Sequence, residues 1–316
     1  MIVKKLLLDC DPGLDDALAL LLAHGDPGLE LVAVTTVGGN VSLANTTRNA
    51  LELREYIGFT GVPVAAGAAG PLLREAKNAA EVHGVGGLGD VILPAATLPI
   101  EQANAVDVII ETLRSSPGEI HLVAVGPMTN IALAIRQEPR IVEWAASFVI
   151  MGGSYTRGNK TVAAEFNIYA DPEAAAIVFA AGWDVVMVGL DLTLQAMVTD
   201  TIKQRMLTLG TLGRELVVPL ATFWNDPQDP NWGGQAVHDV CAVAYLSRPE
   251  LFTAVPARVE VETDGRWTAG MTVTDFRSSI PNAVVPVTLD VDGFWDYVLE
   301  QYARVVELEP ARAVVS

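Results

Sequence analysis

Asp9, Asp11, Asp15 and Asp16 fall within the single run Leu6-Leu7-Leu8-Asp9-Cys10-Asp11-Pro12-Gly13-Leu14-Asp15-Asp16-Ala17. Each has an ordinary use on its own. Asp15 and Asp16 would suit the positive end of a helix, and Asp11 before Pro12 would suit a turn. Crowded together at the end of a strand, they repel one another unless some take up protons or a cation neutralises them. A set of oxygen-only ligands suits Ca²⁺ or Mg²⁺ rather than Zn²⁺, so the run predicts a divalent metal site. Further along, Val237-His238-Asp239 offers another carboxylate and an imidazole. Met151-Gly152-Gly153-Ser154-Tyr155, Gly158-Asn159 and Glu165-Phe166-Asn167 add one carboxylate and two amides in a loop, groups that recognise hydroxyls.

These residues need a frame, and the apolar pattern supplies one. Ile2 to Leu8 reads as a buried strand, Leu14 to His24 as a helix, Leu29 to Val37 as a strand, and Ser42 to about Ile57 as a capped helix. Val62 to Ala66, Ile120 to Val125, Ser147 to Met151 and Asp184 to Leu190 read as further strands. Gln102 to Arg114, Met128 to Gln137 and Asp171 to Ala181 read as helices between them. The alternation predicts an α/β fold, a doubly wound, mostly parallel sheet flanked by helices, with its site at the carboxyl ends of the strands. The pattern then changes. Thr201 to Leu209 and Arg214 to Trp224 read as extra helices, and Val255 to Glu262 with Trp267 to Thr274 as a small antiparallel element turning at Asp264-Gly265. Val284 to Leu289 reads as another strand, and Phe294 to Val306 as a closing helix. No linker or repeat interrupts residues 1–316, which read as one domain.

Composition narrows the function classes. Of 316 residues, 51% are hydrophobic and 18% charged, which excludes intrinsic disorder. Twenty basic residues against 38 acidic ones leave a net charge of −18, a surface that repels nucleic acid and anionic membranes. Cys10 and Cys241 cannot build a disulfide framework and read as small buried apolar groups. No apolar run is long enough for a membrane span, and Lys4-Lys5 meets Asp9 too soon for a signal peptide, so a cytoplasmic protein is expected. Neither a dinucleotide fingerprint nor a Walker motif is present.

The aspartate run, followed in order by Thr35-Thr36-Val37-Gly38-Gly39-Asn40, Gly126-Pro127-Met128-Thr129-Asn130, Met151-Gly152-Gly153, Ala164-Glu165-Phe166-Asn167, Asp171-Pro172-Glu173-Ala174-Ala175 and Val237-His238-Asp239, resembles the inosine–uridine-preferring nucleoside hydrolases over nearly the whole chain. The resemblance implies hydrolysis of the N-glycosidic bond of purine and/or pyrimidine ribonucleosides to free base and ribose. It implies Ca²⁺ held by the side chains of Asp11, Asp16 and Asp239 and the backbone carbonyl of Thr129. Asp15 would hold the ribose 2′- and 3′-hydroxyls, with Asn40 and Asn167 also lining the sugar. Asn159 and Glu165 would take the 5′-hydroxyl, and Met151 would lie against the sugar. Asp11 would deprotonate the attacking water, His238 would help the base depart, and Asp9 would support the ligands from behind. A homo-oligomer, dimer or tetramer, is also implied.

Residue chemistry agrees with that role. Cleavage passes through a positively charged, oxocarbenium-like sugar, which a carboxylate-rich pocket stabilises. A neutral nucleoside needs no arginine clamp, so Arg157 and Lys160 are expected to be solvated loop residues, and His24, His83 and His121 to be structural, although the glycine-rich stretch at His83 could approach the site. The segment from Phe223 to Gln235, with Trp224 and Trp232, is expected to be a lid whose aromatic side chain, Trp232 in particular, meets the base. Two rival readings exist. A haloacid-dehalogenase-type phosphatase would also show an apolar strand and Asp-x-Asp, with Asp9 as nucleophile, but gives Asp15-Asp16 no role. A non-catalytic nucleoside-binding module would use the same scaffold.

Overall fold

The first strand, β1 (Lys4–Cys10), lies inside the sheet and is buried on both faces. The computed structural model, which describes residues 3–224 and 235–308, places nine strands in one sheet in the order β3-β2-β1-β4-β5-β6-β9-β7-β8. The others are β2 (Leu29–Thr36), β3 (Val64–Ala66), β4 (Ile120–Ala124), β5 (Ala145–Met151), β6 (Val185–Val188), β7 (Phe252–Val261), β8 (Thr272–Asp275) and β9 (Ala283–Leu289). Neighbours from β3 to β9 pair in parallel, while β7 runs antiparallel to both β9 and β8. The predicted α/β class and its small antiparallel element are therefore present.

Side-chain alternation along β1 divides the core. Leu6, Leu8 and Cys10 face one apolar layer with Leu18, Val240 and Trp295. Leu7 faces the other with Leu122, Ile131 and Phe148. Helix α1 (Leu14–Gly25) is buried along nearly its whole length, as its all-round apolar sequence requires. The closing helix Val291–Leu308 lies on it, and the Tyr302 hydroxyl donates to the Leu18 carbonyl at 3.0 Å.

Chain order reverses at β1, with β2 on one side and β4 on the other. Two parallel strands leaving in opposite directions open a crevice beyond their carboxyl ends. The aspartate run follows β1 directly, and Val125 to Asn130 follow β4, so both reach that crevice.

Three expectations differ from the structure. The second arm of the antiparallel element is strand only over Thr272–Asp275, and Trp267 is exposed in a turn. Glu262 Oε1 accepts from the N–H groups of Asp264 and Gly265, curling the chain locally, and Gly270 at φ +87° redirects it before pairing begins. The helix expected from Arg214 to Trp224 starts as a π-helical turn, Gly213–Val217, and ends with Val218–Thr222. Pro219 has no N–H for the regular ladder there. Ser42 stands before helix α2 (Leu43–Ile57), but its hydroxyl makes no capping bond. Among the described residues no helix is long and apolar enough to cross a bilayer.

Candidate active site

A cavity of about 380 Å³ opens at this crevice. Asp15, Asn40, Met151, Asn159, Glu165, Asn167, His238 and Asp239 all line it. These are eight of the residues singled out from the sequence. Asp11, Asp16 and Thr129 do not line it: they are buried, at 0%, 0% and 2% exposure. Trp232 lies outside the described residues.

The carboxylates are held mainly by backbone N–H groups. Asp16 accepts from Asp11 N at 3.0 Å and Gly13 N at 2.9 Å, and from Asn40 Nδ2 at 3.0 Å. Asp11 Oδ2 accepts from Asn40 N at 2.7 Å, while its Oδ1 is buried with no hydrogen-bond partner. Oxygens of Asp15, Asp16 and Asp239 lie within 4.8 Å of one another, close enough for one ion. This brings Asp15 into the carboxylate cluster itself, beside its expected place on the ribose hydroxyls.

Burial drives the electrostatics. It pushes Asp16 up to about 7, with Asp15 adding repulsion. Burial, then Asp16, raises Asp11 well above the usual carboxylate range, and burial, then Asp15, does the same to Asp239. Such a group of acids is stable as carboxylates only beside a cation. The orphaned Asp11 oxygen and the all-oxygen donor set fit a hard divalent ion.

Close backbone approach explains two glycines. A Cβ on Gly39 would stand 2.1 Å from Asp11 Oδ2, and one on Gly126 would stand 2.6 Å from Asp11 Oδ1. Behind Asp11, Asp9 Oδ1 accepts from Thr35 Oγ1 at 2.6 Å and Asn130 Nδ2 at 2.8 Å. Thr129 Oγ1 donates to Asp171 Oδ2 at 2.7 Å, which fixes the start of helix Thr129–Gln137.

Where the sugar is expected, partner chemistry fixes each amide. Asn167 Nδ2 donates to the carbonyls of Val125 at 2.7 Å and Met151 at 3.1 Å, leaving Oδ1 as its remaining polar atom. Asn40 Nδ2 is likewise spent on Asp11 O and Asp16, leaving Oδ1. Asn159 is reversed: its Oδ1 accepts from Phe166 N at 2.9 Å, leaving Nδ2 as a donor. Glu165 caps helix Phe166–Ala170, with Oε1 accepting from Asn167 N and Oε2 from Gly153 N and Ile168 N. Burial raises Glu165 to about 7 against the pull of those N–H groups.

At the other end, His238 Nδ1 lies 2.7 Å from Thr193 Oγ1. His83, expected to be structural, also lines the cavity. Its Nδ1 accepts from Leu14 N at 3.0 Å, so the neutral ring carries its proton on Nε2. Burial holds both histidines below the usual imidazole range. His83 ends the short helix Ala80–His83, directly before the glycine-rich run Gly84 to Gly89. Arg157 and Lys160 are not simply solvated: both line the cavity. Lys160 Nζ bonds Glu81 Oε1 at 2.7 Å and lies 5.5 Å from the Phe166 ring centre. Of the expected lid, Trp224 lines the cavity while Phe223 packs against Gly89.

A profile described as inosine-uridine preferring nucleoside hydrolase matches residues 6–296. A protein of that name from Crithidia fasciculata is 46% identical over 309 residues, covering 96% of this chain and 98% of the relative. The pyrimidine-specific ribonucleoside hydrolase RihA of Citrobacter koseri is 43% identical over 303 residues, covering 94% and 97%. Among solved structures, a purine-preferring ribonucleoside hydrolase from Gardnerella vaginalis superposes with a TM-score of 0.91 at 33% identity, covering 97% of this chain and all of that one.

Proposed function

The chain belongs to the inosine–uridine preferring nucleoside hydrolase family, enzymes that hydrolyse the N-glycosyl bonds of ribonucleosides, and from that premise we propose that Asp11 is its general base and His238 assists the departing nucleobase. The observation that carries this reading is the buried, unpartnered Oδ1 of Asp11, on a carboxyl that feels the charges of Asp16 and Asp15 from the Asp15, Asp16 and Asp239 cluster.

Asp11, Asp16 and Asp239, with the backbone carbonyl of Thr129, would hold Ca²⁺. Bound there, the ion would neutralise the carboxylates and orient water and sugar hydroxyls. Asp11 Oδ1 takes a proton from the water whose oxygen attacks C1′. As the C1′–N bond breaks, its electron pair leaves with the base, and positive charge on the sugar is stabilised by the surrounding carboxylates. Asp15, Asn40 Oδ1 and Asn167 Oδ1 are acceptors for ribose hydroxyls, while Asn159 Nδ2 is a donor for the 5′ end. Glu165 acts mainly by holding the loop that carries these groups, since backbone donors occupy both its oxygens. Met151 packs beside the sugar. The substrate class is purine and/or pyrimidine ribonucleosides.

We also propose that residues 1–316 act as one domain, in a cytoplasmic homo-oligomer, dimer or tetramer, that does not bind nucleic acid. The joining of all nine strands in one sheet supports the first point. The net charge of −18 supports the exclusion of nucleic acid.

Incubation with inosine, adenosine, uridine and cytidine, with release of free base and ribose followed together, tests the reading. Hydrolysis of at least one in the presence of Ca²⁺ is expected. Saturable binding with no base released under single-turnover conditions would instead make the protein a nucleoside-binding module.

A further inference from the structure

We propose that Thr193 is a positioning residue that holds His238 with its Nε2–H directed at the nucleobase end of the cavity. This rests on the reading of His238 as the group that assists base departure. Thr193 was not among the residues selected from the sequence, and it does not line the cavity.

The geometry begins with burial. Thr193 is fully buried, and among the described residues its hydroxyl meets one partner, His238 Nδ1, at 2.7 Å. A buried hydroxyl proton needs an acceptor. The nearby Gly189 carbonyl already accepts the Thr193 backbone N–H at 3.1 Å, and the hydroxyl makes no bond to it. The Thr193 O–H therefore donates to Nδ1, and a neutral imidazole that accepts at Nδ1 carries its proton at Nε2. His83 is fixed in the same tautomer by a backbone donor, Leu14 N. Two rings at this end of the cavity thus have the same sense.

The support for Thr193 is rigid. Its short helix, Leu190–Thr193, starts from the end of β6, where Leu190 N donates to Gly153 O at 2.9 Å. Gln195 Nε2 bonds the carbonyls of Asp191 and Val287, and Gln195 Oε1 accepts from Leu289 N. Backbone bonds then tie this segment to the one bearing His238: Val198 N to Gln235 O at 2.9 Å, and Val237 N to Ala196 O at 3.2 Å. Donor and ring are thereby held in one frame, which limits rotation of the imidazole. An Nε2–H already aimed at the base needs no reorganisation as negative charge develops there. The contribution is a hydrogen bond to the leaving base, with no proton transfer from the neutral ring.

Thr193→Val removes the hydroxyl at nearly constant shape, and Thr193→Ser restores it. Both are to be purified with Ca²⁺ and their melting temperatures compared with wild type. The direct readout is the ¹⁵N shifts of the His238 ring nitrogens. Thr193→Val is expected to lose the pure Nε2–H pattern and Thr193→Ser to keep it. On the nucleoside that turns over fastest, Thr193→Val should lose roughly tenfold in kcat, the scale of one hydrogen bond, with KM little changed. Hydrolysis of p-nitrophenyl riboside, whose leaving group needs little help, should be spared. An unchanged ¹⁵N pattern in Thr193→Val overturns the proposal, as does an equal kcat loss on both substrate types. His238→Ala separates this from the parent reading. If that variant retains wild-type kcat on every nucleoside, the role of His238 fails, whereas the ¹⁵N result still judges what Thr193 does to the ring.

Discussion

Placing one methyl group against Asp11 should disable the enzyme without replacing any polar side chain. Gly126 has ordinary negative-φ backbone, so alanine is not strained there by conformation. Its Cβ, however, would sit 2.6 Å from Asp11 Oδ1 and 2.9 Å from Val37 Cγ1. Normal contact begins near 3.4 Å, so about 0.8 Å must be found on the Asp11 side. Val37 on the other side stops the methyl from simply backing away. Asp11 cannot yield freely either, because Asn40 N holds its Oδ2 at 2.7 Å. Overpacking of this kind costs about 1–3 kcal/mol, and a misplacement near 1 Å in a reacting group costs about 10²-fold in rate. Gly126→Ala should therefore lower kcat by about 10²-fold on natural nucleosides and on p-nitrophenyl riboside alike, since both need the activated water. Gly61→Ala is the control: nothing lies within 4 Å of its added methyl, and it should be neutral or slightly stabilising. Steady-state kinetics and thermal melts in Ca²⁺ decide the matter. A Gly126→Ala enzyme within threefold of wild type on both substrates would refute the placement of Asp11 in the water-activating step.

Asp11→Asn keeps the shape and removes the base, so kcat should fall by roughly 10²–10⁴-fold; near wild-type turnover would assign the proton to another group. Asn167→Ala should harm every ribonucleoside to a similar degree, whereas His238→Ala should harm poor leaving groups most, and a panel of four nucleosides plus p-nitrophenyl riboside separates the two patterns. In chelated protein the raised Asp11, Asp16 and Asp239 give the folded state more bound protons than the unfolded state, so stability is greatest at low pH and is lost as pH rises through their folded values, about 7 for Asp16. The buried, lowered histidines oppose this trend, and because the Asp15 charge raises both, an ion that neutralises Asp15 would lower them further and add to the same difference; the gain in melting temperature on adding Ca²⁺ should therefore be larger at pH 8 than at pH 5.5, and equal gains would show that these carboxylates do not hold the ion.

Local signals made the parallel half of the fold legible. Strands such as Leu29–Thr36 and Ile120–Ala124 are apolar and β-branched because both faces of a parallel sheet are covered, and turn residues bound them closely. The hairpin near Asp264-Gly265 misled because two residues suggest a tight turn, while a side chain, Glu262, captures their N–H groups and delays pairing. In the site, residues adjacent to others with the same chemistry were legible. The aspartate run, His238-Asp239 and Glu165-Phe166-Asn167 announce themselves by crowding. His83 and Thr193 do not, because each gains its role from one long-range hydrogen bond, to Leu14 and to His238, that no local pattern encodes.

The amide orientations show why this pocket can be both acidic and selective. A carboxylate cluster alone would attract any cation. Here the remaining polar atoms of Asn40 and Asn167 are acceptors because their N–H₂ groups are consumed by Asp11, Asp16, Val125 and Met151. A ligand that satisfies Asp15 and these two oxygens must bring several donors of its own on a small neutral frame, which a hydroxylated sugar does. The same acceptors would oppose a phosphate in that place, since they have no proton to offer it. In the proposed reaction the sugar becomes more positive as the glycosidic bond breaks, and the acceptors proposed to surround it would become stronger partners without moving. Backbone N–H groups fix the Asp11, Asp16 and Glu165 carboxylates beforehand, so the reorganisation cost is met at folding rather than at the transition state.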